Sequence, residues 1–149
     1  MASAIPAVSD VTRTAAAAAD SVGSARLWIE RIQLTNYRNY AAASLETGPQ
    51  PVVLCGPNGS GKTNLLEAIS LLTSVQGLRH APYPELARMG ASGWSVAARL
   101  NTPLGAVDVG TGLQPGSESR RAGRIVRIDG ETQGGSGALG DLVEIVWVT

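Results

Sequence analysis

The feature that most constrains this chain is a glycine-rich segment directly after a short apolar run. Residues 52–55 read Val-Val-Leu-Cys, and residues 56–63 read Gly-Pro-Asn-Gly-Ser-Gly-Lys-Thr. A glycine, four further residues and then Gly-Lys-Thr form a phosphate-binding loop when a strand precedes the segment and a helix follows it. Residues 52–55 predict the strand, and apolar residues at helical spacing over residues 64–74 predict the helix. We therefore expect a phosphate-binding site rather than a glycine-rich turn without a ligand.

The chemistry of such a loop assigns a role to each residue type. Glycines let the backbone wrap closely around an anion with its N–H groups pointing inward, and the N-terminal end of the helix adds positive charge. Lys62 is expected to reach the outer phosphates, and the Thr63 hydroxyl is expected to hold a Mg²⁺ ion that bridges them. The candidate nucleotide-binding residues are Gly56, Pro57, Asn58, Gly59, Ser60, Gly61, Lys62, Thr63 and Asn64.

Composition fits an ordinary globular chain. The 149 residues, of which 44% are hydrophobic and 16% charged, suffice for one domain or part of one. The 12 basic and 12 acidic residues cancel, so the net charge gives no support to a nucleic-acid or membrane partner. Cys55 is the single cysteine, which excludes an internal disulfide. We expect it to be a small buried residue in a reducing cytosol.

The first 25 residues predict a disordered, alanine-rich tail. They contain an alanine run at residues 15–19 and one basic residue, Arg13, and they lack the continuous apolar region of a secretory signal. No stretch of the chain reaches the length of a transmembrane helix. We therefore expect a cytoplasmic protein with no membrane partner, folded over residues 26–149.

The regions on either side of the loop predict mainly β-structure. Polar residues 36–40 include two tyrosines, which are expected to cover the edge of a sheet at a turn. Beyond the predicted helix, alternation of apolar and polar residues indicates an antiparallel arrangement. Strands are predicted at residues 27–35, 41–46, 125–128 and 142–148, with a hairpin at residues 94–113.

Four segments carry a more specific signal. Residues 32–40 read Ile-Gln-Leu-Thr-Asn-Tyr-Arg-Asn-Tyr, and residues 64–69, directly after the loop, read Asn-Leu-Leu-Glu-Ala-Ile. Residues 77–83 read Gly-Leu-Arg-His-Ala-Pro-Tyr, and residues 145–149 read Ile-Val-Trp-Val-Thr. In these segments the chain resembles the RecF family of bacterial DNA replication and repair proteins, which are members of the wider SMC and ABC-type ATPase group.

The resemblance implies an α/β fold. It would be the lobe of a phosphate-loop ATPase of ABC/SMC type, with a mixed β-sheet around the Walker A helix, the helix that follows the loop, and with an antiparallel β subdomain. Residues 26–149 would form the N-terminal part of the ATPase domain without its second lobe, and the fold would be incomplete.

The resemblance also implies a function. It is ATP-dependent DNA binding in DNA replication, recombinational repair and the SOS response, with ATP and Mg²⁺ as cofactors. The implied partners are DNA, either single-stranded or at duplex junctions, a second copy of the protein in an ATP-dependent homodimer, and the recombination mediators RecR and RecO.

Members of this family need two further motifs to hydrolyse ATP. One is a signature motif, and the other is a run of four apolar residues followed by Asp and Glu; neither occurs in the 149 residues. We therefore expect about the first third of a RecF protein, in which no catalytic residue is assigned. Such a fragment is expected to bind ATP weakly and barely hydrolyse it alone.

The basic residues give weaker indications. Arg38 is a candidate for a contact near the γ-phosphate or with DNA, and the alternative is a solvated loop arginine. Four further arginines surround a short predicted strand, where a solvated β face is more typical than a DNA groove. They are Arg120, Arg121, Arg124 and Arg127.

Two other interpretations of the loop stay open. A kinase or a different SMC-like ATPase would share the phosphate-binding loop, although residues 36–40 disfavour a kinase. A truncated module that binds a nucleotide without catalysis would also share it.

Overall fold

The described strands form two separate sheets, and the larger one contains strands from both sides of the phosphate loop. The computed structural model describes residues 12–15, 26–74, 76–116, 123–146 and 148. A 3₁₀ turn, Tyr83–Leu86, follows the first helix. The other elements are β1 Thr12–Ala15, β2 Trp28–Tyr37, β3 Tyr40–Glu46, β4 Val52–Cys55, α1 Lys62–Ser70, β5 Trp94–Thr102, β6 Gly105–Leu113, β7 Ile125–Ile128, β8 Glu131–Thr132 and α2 Gly137–Gly140.

The larger sheet has six antiparallel strands in the order β3-β2-β5-β6-β7-β8. Successive side chains of a strand point to opposite faces, and one face of this sheet is buried. On β5 the buried residues alternate, and on β2 Ile32 and Leu34 pair with Ala98 and Val96 of β5. The predicted hairpin at residues 94–113 and the predicted strand at residues 125–128 are confirmed.

Helix α1 packs into the core of this sheet. Leu65 and Ala68 of the helix belong to the same buried cluster as Ile32 and Val96 of the sheet. Burial of apolar surface holds the helix there, and each Å² removed from water contributes about 25 cal/mol of stabilisation. The helix ends earlier than predicted, at Ser70, although Leu71 is still fully buried.

The smaller sheet consists of β4 and β1. The pairing is antiparallel, with Thr12 opposite Cys55 and Ala15 opposite Val52. The predicted disordered tail therefore differs from the structure at Thr12–Ala15, and the rest of that prediction lies outside the described residues. A strand edge carries unpaired N–H and C=O groups, and β1 satisfies those of β4 along one edge.

Two further predictions differ from the structure. The predicted strand at residues 142–148 is not formed in its described part, where the Val143 N–H instead donates to the Leu139 carbonyl at 2.9 Å and extends the turn of α2. The pairs between the described strands are all antiparallel, so the expected mixed sheet is not seen among them. Short turns join β2 to β3, β5 to β6 and β7 to β8, as antiparallel neighbours allow.

The helices in the described part of the chain are all too short or too polar to cross a membrane.

Candidate nucleotide-binding site

The phosphate loop has the backbone that its sequence predicts. Strand β4 ends at Cys55 and α1 begins at Lys62, so the loop joins the end of a strand to the start of a helix. Gly59 and Gly61 have φ angles of 83° and 95°, in the left-handed region that favours glycine. The Leu65 N–H donates to the Gly61 carbonyl at 2.9 Å, which starts the helix directly after the loop. Helix N–H groups without an internal partner therefore face the loop.

Lys62 is the only lysine of the chain, and its ammonium group lies within the loop. Nζ donates to the carbonyl oxygens of Gly56 at 2.6 Å and Pro57 at 2.7 Å. It also lies 3.3 Å from Ser60 Oγ. Three parts of the loop thus converge on one positive charge at the N-terminal end of α1.

Thr63 is the residue predicted to hold Mg²⁺. It is exposed in the first turn of α1, next to Lys62. Among the described residues no group of three or more His, Cys, Asp or Glu side chains could hold a metal ion. The exposed Thr63 hydroxyl is one oxygen ligand, and a Mg²⁺ ion held mainly by water and phosphate oxygens needs only one or two ligands from the protein.

Arg38 lies in the turn between β2 and β3, and its side chain binds Glu67 of α1. The guanidinium donates from Nε and a terminal nitrogen to the two carboxylate oxygens, both at 2.9 Å. Glu67 is 1% exposed, and its hydrogen bonds hold the pKa of Arg38 above the usual range. The other terminal nitrogen donates to the Glu85 carbonyl at 3.3 Å. Arg38 thus fastens the turn to the helix, a contact that the sequence did not predict.

Asn39 and Asn64 connect the same turn to the start of α1. Asn64 Nδ2 donates to Asn39 Oδ1 at 2.8 Å, and Arg79 donates to Asn64 Oδ1 at 3.1 Å. Asn64, a candidate for contact with the nucleotide, is therefore held by two side chains in this structure. Asn39 and Glu67 were not among the predicted site residues. In the sequence, Glu67 lies four residues before the apolar Leu71, and this spacing places both side chains on the same face of a helix.

The prediction that the tyrosines of residues 36–40 cover a sheet edge is wrong. Tyr37 and Tyr40 face each other across the turn, and both are fully buried. Tyr37 packs edge-on against Trp94, and burial together with the nearby Glu67 carboxylate raises its pKa. Burial also raises the pKa of Tyr40. The aromatic rings lie inside because the turn bends over α1 and the loop, which a local pattern does not reveal.

The structure describes two of the four arginines near β7, and these two differ in burial. Arg120 and Arg121 lie outside the described residues, Arg127 is exposed, and Arg124 is buried. Arg124 donates to the carbonyl oxygens of Leu71 and Thr73, the latter at 2.5 Å. Burial lowers its pKa. The expected solvated β face is therefore wrong for Arg124, because this side chain caps carbonyl groups at the end of α1.

The expectation that Cys55 is buried is also wrong. The cysteine is exposed at the end of β4. The apolar run of residues 52–55 predicts a strand covered on both faces, but the described residues leave most of β4 uncovered.

Comparisons with known proteins identify relatives of this chain. RecF of Mesorhizobium japonicum, named as a DNA replication and repair protein, is 47% identical over 126 residues, which are 84% of this chain and 33% of that protein. RecF of Brucella suis is 46% identical over 125 residues, 83% of this chain and 32% of that protein. The chain thus spans about a third of the length of these curated relatives.

Two solved structures share the fold. One is described as the recombination mediator protein RecF-ATP in the RecFOR pathway, with a TM-score of 0.64 and 20% identity, over 80% of this chain and 31% of that chain. The second, RecF-ATPrS, has a TM-score of 0.62 and 21% identity, over 76% of this chain and 29% of that chain. At this level of identity the similarity concerns the fold.

A family match covers more than half of the chain. Residues 28–106, from the start of β2 to the second residue of β6, match the family described as AAA ATPase domain. With the phosphate loop and α1 inside that match, the chain belongs to the AAA ATPase domain family and is a homologue of the RecF proteins.

Proposed function

We propose that this chain binds ATP through the loop at residues 56–63 and is the ATP-binding part of a RecF-type DNA replication and repair protein. The observation that carries the proposal is the convergence of Lys62 Nζ on the carbonyl groups of Gly56 and Pro57 at the N-terminal end of α1. A compact positive charge, helix N–H groups and glycine backbone are the elements that bind phosphates in such loops.

The wider role is proposed for a protein of the length of the RecF relatives, of which this chain spans about a third. We place it in the cytoplasm, with ATP-dependent DNA binding in replication, recombinational repair and the SOS response. ATP-dependent homodimers and the partners RecR and RecO are part of the same proposal. Its support is the similarity to RecF proteins and the RecFOR pathway in which the RecF-ATP structure is described.

ATP hydrolysis by this chain alone should be slow. The described residues place no carboxylate in the loop or the first turn of α1 to orient an attacking water. Bound Mg²⁺ would supply charge stabilisation of the phosphates, with Thr63 as its protein ligand. The residues of the loop would hold and orient the phosphates, and Arg38 holds the β2–β3 turn against Glu67.

The test is Mg-ATP binding to the 149-residue chain by titration calorimetry, with Lys62→Ala as the variant. Loss of a charged donor to phosphate should weaken binding by about 10- to 100-fold. Arg127→Ala removes the same charge from an exposed position on β7 and should leave the affinity unchanged. Equal affinities of Lys62→Ala and the unaltered chain would contradict a phosphate site in this loop.

A further inference from the structure

Tyr40, the first residue of β3, is buried and contacts the phosphate loop at Ser60 and Gly61. Its hydroxyl lies 3.5 Å from the Ser60 carbonyl oxygen, to which it donates. The ring is fully buried, so no solvent competes for this hydroxyl. The loop residue that follows, Gly61, is buried against the same side chain.

The space around Gly61 shows how closely the turn and the loop fit. A Cβ atom at this position would collide with the Tyr40 hydroxyl and would lie 2.8 Å from Asn39 Nδ2. The φ angle of 95° is itself unfavourable for other residue types. Gly61 is therefore required both by its backbone conformation and by the two side chains packed against it.

The Tyr40 contact has a consequence for the direction of a backbone N–H group. In a trans peptide the C=O and the N–H of one peptide unit point in opposite directions. Since the Ser60 carbonyl points towards Tyr40, the Gly61 N–H points away from it. Glycine permits many backbone conformations, and the Tyr40 hydroxyl is a direct hydrogen-bond partner of the carbonyl in the peptide between Ser60 and Gly61.

We propose that Tyr40 is a positioning residue for the phosphate site, which holds the Ser60–Gly61 peptide so that its N–H, and not its carbonyl oxygen, is available to a phosphate. The inference rests on the proposed function, since it names how that site is prepared for its ligand. A turned peptide would present a carbonyl oxygen, which repels an anion. Preparing the loop before binding reduces the ordering cost that binding must overcome.

Tyr37 provides a matched comparison. It pairs with Tyr40 across the same turn and is equally buried, but its hydroxyl lies beside Glu67 and Arg38 rather than beside the loop. Replacing either tyrosine by phenylalanine keeps the ring and removes one hydroxyl. Only Tyr40→Phe removes the contact with the Ser60 carbonyl.

Two measurements on the 149-residue chain test the inference. The first is the affinity for Mg-ATP, which we expect to fall about 3- to 10-fold in Tyr40→Phe and to remain unchanged in Tyr37→Phe. The second is the NMR signal of the Gly61 amide without nucleotide, which should shift or broaden in Tyr40→Phe alone. Thermal melting of both variants checks that the fold is retained.

The outcomes separate this inference from the proposed function. If the unaltered chain does not bind Mg-ATP, the proposed function fails, while the Gly61 signal still reports on the peptide. If the chain binds Mg-ATP and Tyr40→Phe binds it equally well, with an unchanged Gly61 signal, Tyr40 is only a core residue and the inference is overturned. A weaker affinity in both tyrosine variants would also overturn it, because the effect would then be one of general stability.

Discussion

The pair of Arg38 and Glu67 illustrates how one buried carboxylate organises this site. Glu67 is almost fully buried on α1, where an unpaired charge would be costly, and Arg38 meets both of its oxygens. Arg79 contributes a longer contact at 3.7 Å. Because the planar guanidinium matches the carboxylate in two bonds, the pair fixes the turn relative to the helix more firmly than a single contact would.

Glu67→Gln should therefore destabilise the chain. The substitution keeps the size of the side chain but leaves Arg38 facing a neutral amide, which offers one acceptor oxygen in place of two. We expect the free energy of unfolding to fall by about 2–4 kcal/mol, measured by urea denaturation. Glu131→Gln, at an exposed position on β8, is the control and should change the free energy of unfolding by less than about 0.5 kcal/mol. A loss at Glu67 no larger than the control would show that the pair adds no stability.

At the scale of elements, Arg124 connects β7 to the end of α1. The guanidinium contacts the carbonyl groups of Leu71 and Thr73 and lies 5.8 Å from the centre of the Tyr83 ring. Leu71 is the C-terminal cap of α1 and Thr73 follows shortly after it, and a cation near this end of a helix interacts favourably with the helix dipole. The sheet thus holds the phosphate-loop helix at its C-terminal end, as the β2–β3 turn holds it at the N-terminal end.

Arg124→Lys tests whether the geometry of this contact matters. Lysine keeps the charge but cannot contact two carbonyl groups and an aromatic face at once. We expect a loss of about 1–3 kcal/mol in the free energy of unfolding, measured by urea denaturation. Arg127→Lys makes the same change three residues later on the exposed side of β7 and should have no measurable effect. Equal stabilities of the two variants would mean that charge alone suffices.

The elements that the sequence predicts correctly are those with a local pattern. Alternation predicts β5 and β6, and the loop motif together with helical spacing predicts α1. The burial of Tyr40 and Arg124 was not predicted, because their partners lie far away in the chain: Tyr40 and Ser60 are 20 residues apart, and Arg124 and Leu71 are 53 apart. The periodicity of apolar residues predicts which positions are buried in one element. It does not predict a buried arginine such as Arg124, whose partners are carbonyl groups elsewhere in the chain.

At the scale of the whole molecule, β4 is an apolar strand that the described structure leaves largely uncovered. Val52 is 37% exposed and Val53 is 47% exposed, although neighbouring residues of a strand point to opposite faces. A continuous apolar strand followed by a loop and a helix is typical of a sheet covered on both faces, in which a crossover brings a parallel strand beside the first. The chain after α1 enters the antiparallel sheet instead, so within the described residues β1 is the one strand paired with β4.

We expect the remainder of a RecF-type chain to cover β4, and Cys55 provides a probe for this. The experiment measures the rate at which N-ethylmaleimide alkylates Cys55 in the 149-residue chain and in a fusion of it to the unmatched two thirds of Mesorhizobium japonicum RecF. Cys55 is exposed in the chain alone and should react quickly. In the fusion, burial of β4 should slow the reaction by on the order of tenfold or more, because the thiol then reacts only when the structure opens.

A cysteine placed elsewhere controls for general effects of the fusion. Leu104, fully exposed in the turn between β5 and β6, is replaced by cysteine in a Cys55→Ser background and should react equally fast in both proteins. If Cys55 also reacts equally fast in both, the added chain leaves β4 open and another partner must cover it. If both cysteines slow together, the fusion restricts access nonspecifically. Slowing at Cys55 alone would establish that this apolar strand is an internal surface of the longer protein, and that the phosphate loop acquires its complete surroundings only there.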